Sequence, residues 1–343
     1  MAPMQHNRTR VRNNRRKART RNALILLTVF CVTALLVTVA ALTFFNQPPE
    51  QTPPPETEVT PTTPAKPTVT MPLPQTFVDN NTSAEYIVLY DVTGDKMLYG
   101  KNEKEKCYPA STTKLLTSLV TLKYAKSDTV FTVGDEIRLI DPQSSVAYLR
   151  IGHRLDLQTM LEAIMLPSGN DAAYTAAANV GRIIAGDPSL SATAAIARFC
   201  EEMNKTAKSL GATHSHFANP DGIHDPNHYT TAADLAKIAK AALKEPLLAK
   251  VVGQEKVVRT FLSGESGITW YNTNALLRTD QRFLFEGATG MKTGHTDQAG
   301  YCLAASAERN GVTLLAIVMN CDTANARFED ASGLFTVCYD AME

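Results

Sequence analysis

Apolar runs predict two β-hairpins, which lie far apart in the chain. Residues 86–90 form an apolar run that predicts a buried strand, and residues 96–99, after a short turn, predict its hairpin partner. Residues 301–307 and 312–320 are a second pair of apolar runs, and the Asn310-Gly311 pair between them is a strong hairpin signal. The pattern therefore places strands at both ends of one globular segment.

Between the two hairpins the apolar positions recur at helical spacing. Apolar residues at positions 115, 116, 119, 120 and 122 predict an amphipathic helix that Ser111 opens, since Pro109 precedes it. Strands, then helices, then strands and a last helix indicate an α+β fold, in which an antiparallel β-sheet is flanked by helices with an α-helical subdomain. The other predicted helices are residues 157–165, 171–184, 191–210, 231–242 and 326–339.

The first 45 residues have the charge pattern of a membrane anchor. Residues 1–22 contain eight Arg or Lys and no acidic residue, and residues 23–45 contain no charge. A helix of this length, at about 1.5 Å per residue, spans roughly 35 Å and can cross a hydrocarbon core of about 30 Å. We therefore predict one N-terminal transmembrane helix at 23–45 and a basic cytoplasmic tail at 1–22. A cleaved signal peptide is the alternative, although its apolar stretch would be shorter.

A proline-rich segment follows the predicted anchor. Ten of the 18 prolines fall between Pro48 and Pro74, a composition typical of an extended, semi-rigid linker. We expect residues 46–76 to be an extracytoplasmic linker and residues 77–343 to form one globular domain. The formal net charge is zero and the basic block precedes the predicted span, so membrane topology explains it and no nucleic-acid partner is expected.

Candidate chemistry begins with Ser111 and Lys114. They are three positions apart, so at a helix start their side chains lie on one face, within reach of a hydrogen bond. A serine hydroxyl needs a base beside it, and a lysine can serve only if its pKa falls by several units from about 10.4. Burial and a second cation would lower that pKa, and Lys292 is the candidate cation. A capping serine with a solvated lysine is the alternative for this motif alone.

Two further motifs follow in order. Residues 168–170 (Ser-Gly-Asn) precede an Ala-rich helix, so they predict either a loop that presents polar side chains or an ordinary helix cap. Residues 292–294 (Lys-Thr-Gly) are typical of a strand that binds the carboxylate end of a peptide. Each motif alone is a weak signal. The three in this order indicate an acyl-transfer site with a serine nucleophile and a lysine base.

With these motifs the chain resembles the D-alanyl-D-alanine carboxypeptidases of the low-molecular-mass penicillin-binding proteins, serine peptidases that trim peptidoglycan stem peptides. The similarity extends over residues 84–340. It includes residues 109–114 (Pro-Ala-Ser-Thr-Thr-Lys), 219–222 (Asn-Pro-Asp-Gly), 228–236 and 290–296. The resemblance implies a β-lactamase/transpeptidase-like fold, located outside a bacterial cell membrane.

The resemblance also implies a role for each catalytic candidate. Ser111 would attack the carbonyl between two terminal D-alanines, and Lys114 would accept its proton. Ser168 and Asn170 would relay protons and position the substrate amide. Penicillins would acylate Ser111 and leave slowly, and no cofactor or metal is implied.

The substrate-binding candidates lie in the C-terminal part. The resemblance implies that the terminal carboxylate of the peptidoglycan peptide is held by Lys292, Thr293 and Gly294. The oxyanion would lie between the backbone N–H groups of the nucleophile and of His295. Arg327 would lie near the carboxylate.

Two other activities could use the same fold, a D,D-endopeptidase and a weak β-lactamase. The middle motif is Ser-Gly-Asn rather than Ser-Asp-Asn, and the chain has no convincing counterpart of the glutamate that deacylates β-lactamases. Glu162 precedes the middle motif, so its place in the sequence is wrong for that role. We therefore expect poor lactamase activity.

Histidines suggest an alternative of another class. His214, His216, His224 and His228 with Asp221 could bind zinc, as in a zinc peptidase. The spacing is loose and no His-Glu-x-x-His is present, which disfavours it. A non-catalytic wall-binding module is a third alternative, disfavoured by the intact serine and lysine.

The cysteines leave the disulfide state open. Five lie outside the predicted span, so at least one cannot pair within the chain. Cys302 and Cys321 lie on the two arms of the C-terminal hairpin, where a cross-strand bond is conceivable. Buried free thiols are the default expectation, since an external location permits disulfides without requiring them. The five are Cys107, Cys200, Cys302, Cys321 and Cys338.

Overall fold

Nine strands and seven α-helices make up the part of the chain that the computed structural model describes, residues 82–342. The strands are β1 (Tyr86–Asp91), β2 (Lys96–Lys101), β3 (Phe131–Thr132), β4 (Arg154–Leu155), β5 (Lys256–Arg259), β6 (Ile268–Tyr271), β7 (Ala288–Thr296), β8 (Gly300–Arg309) and β9 (Val312–Cys321). The helices are α1 (Lys114–Tyr124), α2 (Leu157–Met165), α3 (Asn170–Ala185), α4 (Ala192–Ser209), α5 (Ala232–Lys244), α6 (Pro246–Val252) and α7 (Ala326–Asp340).

Five strands form the central sheet, in the order β2-β1-β9-β8-β7, and every neighbouring pair is antiparallel. Strand β1 comes first in the chain but pairs with β9. The N-terminal β1–β2 hairpin and the C-terminal β8–β9 hairpin therefore join in one sheet. The β8–β9 turn has Asn310 at φ +53° and Gly311 at φ +77°, the left-handed pair that a tight two-residue hairpin requires. The predicted antiparallel α+β fold is confirmed.

Successive residues of the sheet strands point to opposite faces, as the two-residue period of a strand requires. Leu89 faces the cluster that holds Phe335 of helix α7. Val88, its neighbour in the chain, faces the larger cluster that holds Leu115 of helix α1 and most of the helical residues. The sheet is therefore buried on both faces, by α7 on one side and by the helical region on the other.

The predicted helices are present, with boundaries within two residues of those expected except at the start of α1, which begins at Lys114 rather than at Ser111. The periodicity did not reveal the short elements β3 to β6 and α6, because two to seven residues carry too little pattern to distinguish a strand or a helix from a loop. These short elements help to shape the site, because the segment after β6 contacts strand β7.

The predicted basic tail, span and linker, residues 1–76, lie outside the described residues. Within residues 82–342 no helix is both long and apolar enough to cross a bilayer.

All five cysteines of the described segment are buried free thiols. Cys302 belongs to the cluster on the α1 side of the sheet, whereas Cys321 belongs to the cluster on the α7 side. The conceivable cross-strand bond is not formed, because the two thiols lie on opposite faces. Burial raises the pKa of Cys302 to about 11, which keeps this thiol protonated near neutral pH.

Candidate active site

Ser111 and Lys114 meet at the start of helix α1. Ser111 lies in a 3-10 turn, Ala110–Thr113, and Lys114 is the first residue of α1. The expected helix thus begins three residues later than Ser111. Ala110 adopts a left-handed φ of +46°, a conformation that costs a residue with a β-carbon about 1 to 2 kcal/mol. The strained turn places the serine hydroxyl over the lysine.

The Lys114 amine has three partners, and each of them accepts a hydrogen bond. Its Nζ lies 2.8 Å from Ser111 Oγ, 2.6 Å from Asn170 Oδ1 and 2.9 Å from the Asp221 carbonyl oxygen. The side chain is fully buried. Burial lowers the pKa of Lys114 to about 8, against the opposing charges of the Asp221 and Asp171 carboxylates. The lysine is therefore poised to lose a proton near neutral pH.

The Ser-Gly-Asn motif brings Asn170 to the lysine at the N-terminus of helix α3. Gly169 is the N-cap residue and has no side chain that could cap this helix. A β-carbon at Gly169 would lie 2.7 Å from the Ala163 carbonyl oxygen and 2.8 Å from Asp171 Oδ1, so the backbone packs too tightly for any larger residue. Ser168 has a left-handed φ of +61° and is buried. Within residues 82–342 its hydroxyl makes no hydrogen bond to Ser111 or Lys114.

A loop ahead of the motif holds the Asn170 side chain and the Ser168 backbone in place. Asn170 Nδ2 donates to Ser144 Oγ at 2.7 Å, and Ser145 Oγ donates to the Ser168 carbonyl at 2.7 Å. Because the Asn170 amide donates to Ser144, its oxygen is turned toward Lys114. Neither loop serine was among the predicted site residues. No sequence signal marks them, since two adjacent serines in a loop are common.

The Lys-Thr-Gly motif lies on β7, an edge strand of the sheet. Lys292 is fully buried, and its Nζ donates to the Thr293 carbonyl at 3.0 Å. Burial lowers the pKa of Lys292 well below its usual value, and the charges of Lys114 and Arg327 act in the same direction. No carboxylate pairs with Lys292 in residues 82–342. A ligand carboxylate would supply the missing opposite charge.

Strand β7 approaches the serine turn at Gly294. A β-carbon there would lie 3.0 Å from the Ser111 amide nitrogen and 3.1 Å from Ala110 Cβ. No backbone hydrogen bond within residues 82–342 uses the N–H of Ser111. His295 is the next residue of β7, with an exposed side chain that stacks on Tyr301 at 4.2 Å between ring centroids. The fold therefore brings the backbone of His295 close to that of Ser111.

Arg327 supports β7 from the first turn of helix α7. Its Nη1 donates to the Gly294 carbonyl at 3.1 Å, and its guanidinium carbon lies 5.5 Å from the Tyr301 ring centroid. Burial lowers the pKa of Arg327. The structure thus places this predicted residue against the Lys-Thr-Gly strand.

The segment 219–222 forms the floor beneath the serine turn. A β-carbon at Gly222, which has φ +89°, would lie 1.9 Å from the Ala110 carbonyl oxygen, so only glycine fits there. The side chain of Asn219 fixes the loop, because its Oδ1 accepts from the Gly222 N–H at 2.8 Å. Asp221 contributes its carbonyl to Lys114, a role that no side-chain pattern could have indicated.

His228 supports the same turn from below. The Ala218 N–H donates to His228 Nδ1 at 3.1 Å, so the ring proton lies on Nε2, which is 2.8 Å from Thr113 Oγ1. His216 Nδ1 lies 2.5 Å from the Asn227 carbonyl. No group of three or more His, Cys, Asp or Glu in residues 82–342 is placed to hold a metal ion. The zinc alternative thus gains no support from the part of the chain described.

Glu162 is also placed away from a catalytic role. Its buried carboxylate pairs with the Arg259 guanidinium through two hydrogen bonds and accepts a third from Gln158 Nε2 at 2.9 Å. A carboxylate engaged in this way is not free to activate water.

Known proteins resemble this chain over the same region. The family model described as D-alanyl-D-alanine carboxypeptidase, peptidase S11, matches residues 73–323. D-alanyl-D-alanine carboxypeptidase DacF of Bacillus subtilis is 30% identical over an alignment that covers 76% of this chain. The same alignment covers 63% of the length of DacF, less than two thirds of that protein. The D-alanyl-D-alanine carboxypeptidase of Streptomyces strain K15 is 32% identical over 68% of this chain and 80% of its own length.

Solved structures show the same likeness. The crystal structure of the Streptomyces K15 DD-transpeptidase superposes with a TM-score of 0.69 at 30% identity, covering 76% of this chain and 98% of that one. The carboxypeptidase DacD of Francisella tularensis has a TM-score of 0.63 at 26% identity, covering 74% and 69% of the two chains.

Proposed function

This chain belongs to the D-alanyl-D-alanine carboxypeptidase family of S11 serine peptidases, and on that basis we propose that it removes the terminal D-alanine from peptidoglycan stem peptides. The observation that carries the proposal is the 2.8 Å contact between Lys114 Nζ and Ser111 Oγ. It joins a nucleophile to a base whose pKa burial has lowered to about 8.

The partners of Lys114 determine where its lone pair points. The Asn170 side-chain oxygen and the Asp221 carbonyl can only accept hydrogen bonds, whereas the Ser111 hydroxyl can also donate one. When Lys114 is neutral, its two N–H bonds are directed to the two pure acceptors. The lone pair is then directed to Ser111, which is the arrangement a general base needs.

Acylation follows from this geometry. Ser111 Oγ attacks the carbonyl carbon of the penultimate D-alanine while its proton passes to Lys114 Nζ. The C–N bond then breaks, and the leaving amine of the terminal D-alanine takes up the proton that Lys114 accepted, with Ser168 as the proposed relay. Water afterwards attacks the acyl ester, restores the Ser111 hydroxyl and releases a peptide that is one residue shorter.

In this scheme the substrate binds between β7 and the serine turn, at two places. The developing oxyanion accepts from the N–H groups of Ser111 and His295, and one such donor is worth about 3 to 4 kcal/mol in the transition state. The terminal carboxylate binds at Lys292 and Thr293, where the unpaired buried amine provides the opposite charge. Penicillin, which carries a carboxylate beside a reactive amide, would acylate Ser111 at the same place.

The test uses mass spectrometry of the full-length chain in detergent. Wild type is mixed with diacetyl-Lys-D-Ala-D-Ala and, separately, with penicillin, and Ser111→Ala serves as the matched control. Release of D-alanine and a penicillin adduct on Ser111, both lost in the variant, would support the proposal. An adduct without D-alanine would overturn the carboxypeptidase activity, and the absence of both would overturn the acyl-enzyme mechanism.

Transpeptidation is a second candidate, because the Streptomyces K15 structure is named a DD-transpeptidase. An amine would then attack the acyl-enzyme instead of water and form a new amide. Adding a D-amino acid or glycyl acceptor to the reaction distinguishes the two outcomes by product mass. An endopeptidase would be recognised by cleavage of cross-linked muropeptides. Because Glu162 is engaged with Arg259, we expect weak β-lactamase activity.

We also propose that residues 23–45 anchor the protein in the bacterial cell membrane, with the catalytic domain outside. The uncharged run and the basic block before it support this topology. Protease treatment of intact spheroplasts tests it: cleavage of the catalytic domain is expected, and protection from protease would overturn the orientation.

A further inference from the structure

Thr273 was not among the predicted site residues, yet it contacts the Lys-Thr-Gly strand directly. Its hydroxyl oxygen lies 2.6 Å from Thr293 Oγ1. Thr293 is buried to 5% exposure, whereas Thr273 is exposed. The two hydroxyls therefore form a pair that extends from the buried strand toward solvent.

Rigid neighbours hold Thr273 in this position. Asn272 and Asn274 on either side are buried, and the side-chain amide of each donates hydrogen bonds to backbone carbonyls. Asn272 Nδ2 donates to the Val252 and Gln254 carbonyls, both at 3.0 Å. Asn274 Nδ2 donates to the Gly290 carbonyl, in β7, at 2.9 Å, and its Oδ1 accepts from the Leu276 N–H at 3.1 Å.

The backbone of Thr273 is tied to the middle motif as well. Its N–H donates to the Leu166 carbonyl at 3.1 Å, and Leu166 stands two residues before Ser168 in the chain. One residue thus connects the segment that carries Ser168 to the strand that carries Thr293. A substituted side chain at 273 would leave this backbone link intact.

The number of protons available decides which hydroxyl of the Thr273–Thr293 pair donates to the other when a carboxylate is bound. A hydroxyl has one proton to donate and can accept two bonds, whereas a carboxylate only accepts. Lys292 Nζ lies 3.5 Å from Thr293 Oγ1, and as an ammonium group it can only donate to this hydroxyl. If Thr273 also donates to Thr293, the proton of Thr293 is left free to donate to a carboxylate. If Thr293 instead donated to Thr273, its lone pairs would face the carboxylate and repel it.

We propose that Thr273 is a positioning residue of the carboxylate subsite, which turns the Thr293 hydroxyl so that it donates to the terminal carboxylate of the peptide. The inference rests on the proposed function and deepens it, because it assigns part of the preference for a free carboxylate to a residue outside the three motifs. A peptide that ends in a carboxamide gains less from this orientation, since an amide carries no full negative charge.

The experiment compares two peptides on the full-length chain, diacetyl-Lys-D-Ala-D-Ala and its C-terminal carboxamide. Thr273→Val removes the hydroxyl at nearly constant shape, Thr273→Ser keeps the hydroxyl, and Thr269→Val is the control at an exposed threonine of β6. We expect Thr273→Val to lower kcat/KM for the carboxylate peptide by about tenfold, mainly through KM, and to leave the amide peptide nearly unchanged. Thr273→Ser should restore the preference, and Thr269→Val should not alter it.

The outcomes are separable. Equal losses on both peptides in Thr273→Val, an unchanged ratio, or a serine variant as poor as the valine variant would each overturn the inference. A wild-type chain that releases neither D-alanine from the carboxylate peptide nor D-alaninamide from the carboxamide would refute the proposed function itself, and the inference with it. Fluorescence of Trp270, the single tryptophan of the chain, shows in each case that the segment is folded.

Discussion

Gly294 lies directly against Ser111, so that a β-carbon at position 294 would be 3.0 Å from the amide nitrogen of the serine. This contact joins the third motif to the first and aligns the backbone of β7 with the nucleophile. Such a distance is tighter than ordinary van der Waals contact, so a larger residue must push the strand and the turn apart by a few tenths of an ångström.

We therefore expect Gly294→Ala to reduce the rate of penicillin acylation by about tenfold to a hundredfold, because oxyanion donors act only at correct distances. Stopped-flow or quench measurement of the penicillin adduct gives the rate. Gly333→Ala on helix α7 is the matched control, since a β-carbon there meets nothing within 4 Å. Equal rates in the two variants would show that close approach at 294 is unimportant.

Acylation should rise with pH through the titration of Lys114. Only the neutral amine can accept the serine proton, and its pKa is about 8, so the reactive fraction grows about tenfold from pH 7 to pH 9. The rate of penicillin adduct formation on wild type checks this. A rate that is flat or falls over that interval would contradict a lysine base.

Arginine, which stays charged, should not replace Lys114 as the proposed base. Lys114→Arg should lose about 10² to 10⁴ in acylation rate, because arginine is not deprotonated near neutral pH. Lys123→Arg, on the same helix but paired with Glu202 at 2.8 Å, should remain near wild type. Comparable activity of the two variants would argue that Lys114 acts only as a fixed charge.

Replacing Gly169 to give Ser-Asp-Asn should destabilise the fold and create no lactamase. The new β-carbon would lie 2.7 Å from the Ala163 carbonyl, and overpacking of this kind costs about 1 to 3 kcal/mol. Urea unfolding followed by Trp270 fluorescence measures the loss. Wild-type stability, or rapid nitrocefin hydrolysis, in Gly169→Asp would disprove the steric account.

His228 should make the fold sensitive to acid. Burial lowers its pKa to about 3, and His216, His224 and Lys114 act in the same direction while Asp225 opposes them. The unfolded chain, with a pKa near 6.5, therefore binds the proton first as the pH falls. Above about pH 6.5 the neutral His228 contributes its full share to the free energy of unfolding. This contribution declines between about pH 6.5 and pH 3, and at pH 5 it is lower by roughly 2 kcal/mol than at neutral pH.

Unfolding free energies at pH 7 and pH 5 test this dependence. From pH 7 to pH 5, His228→Gln should lose less unfolding free energy than wild type. At pH 7 the variant is less stable than wild type, because the native packing around His228 is lost. His216→Gln, at an exposed site, should follow wild type. Identical pH dependence in all three proteins would mean that His228 does not carry the effect.

The local patterns predicted the elements and the first pair of site residues. Helix α2 was predicted at residues 157–165 and has those bounds. The apolar periodicity of an amphipathic helix can be read from residues close together in the sequence. Ser111 and Lys114 are close for the same reason, since three positions along a helical turn place two side chains on one face. The predicted lowering of the Lys114 pKa by burial is also found.

What the patterns missed depends on contacts between distant parts of the chain. Ser144, the carbonyl of Asp221 and Thr273 each contact a motif residue from a loop with no regular period. Every residue has the same backbone carbonyl, so the sequence could not predict that the carbonyl of Asp221 accepts a hydrogen bond from Lys114. Thr273 became significant only once its hydroxyl was placed beside Thr293.

The sequence by itself determined the α+β order of elements, the pairing of Ser111 with Lys114, and the three motifs that mark the family, since these depend on neighbours in the chain. Only the tertiary structure decided how the motifs meet. Strand β7 had to lie at the sheet edge beside the serine turn, and Lys114 and Lys292 had to be buried, with no ion-pair partner among residues 82–342. Their pKa values follow from desolvation by the whole fold, which no short stretch of sequence can encode.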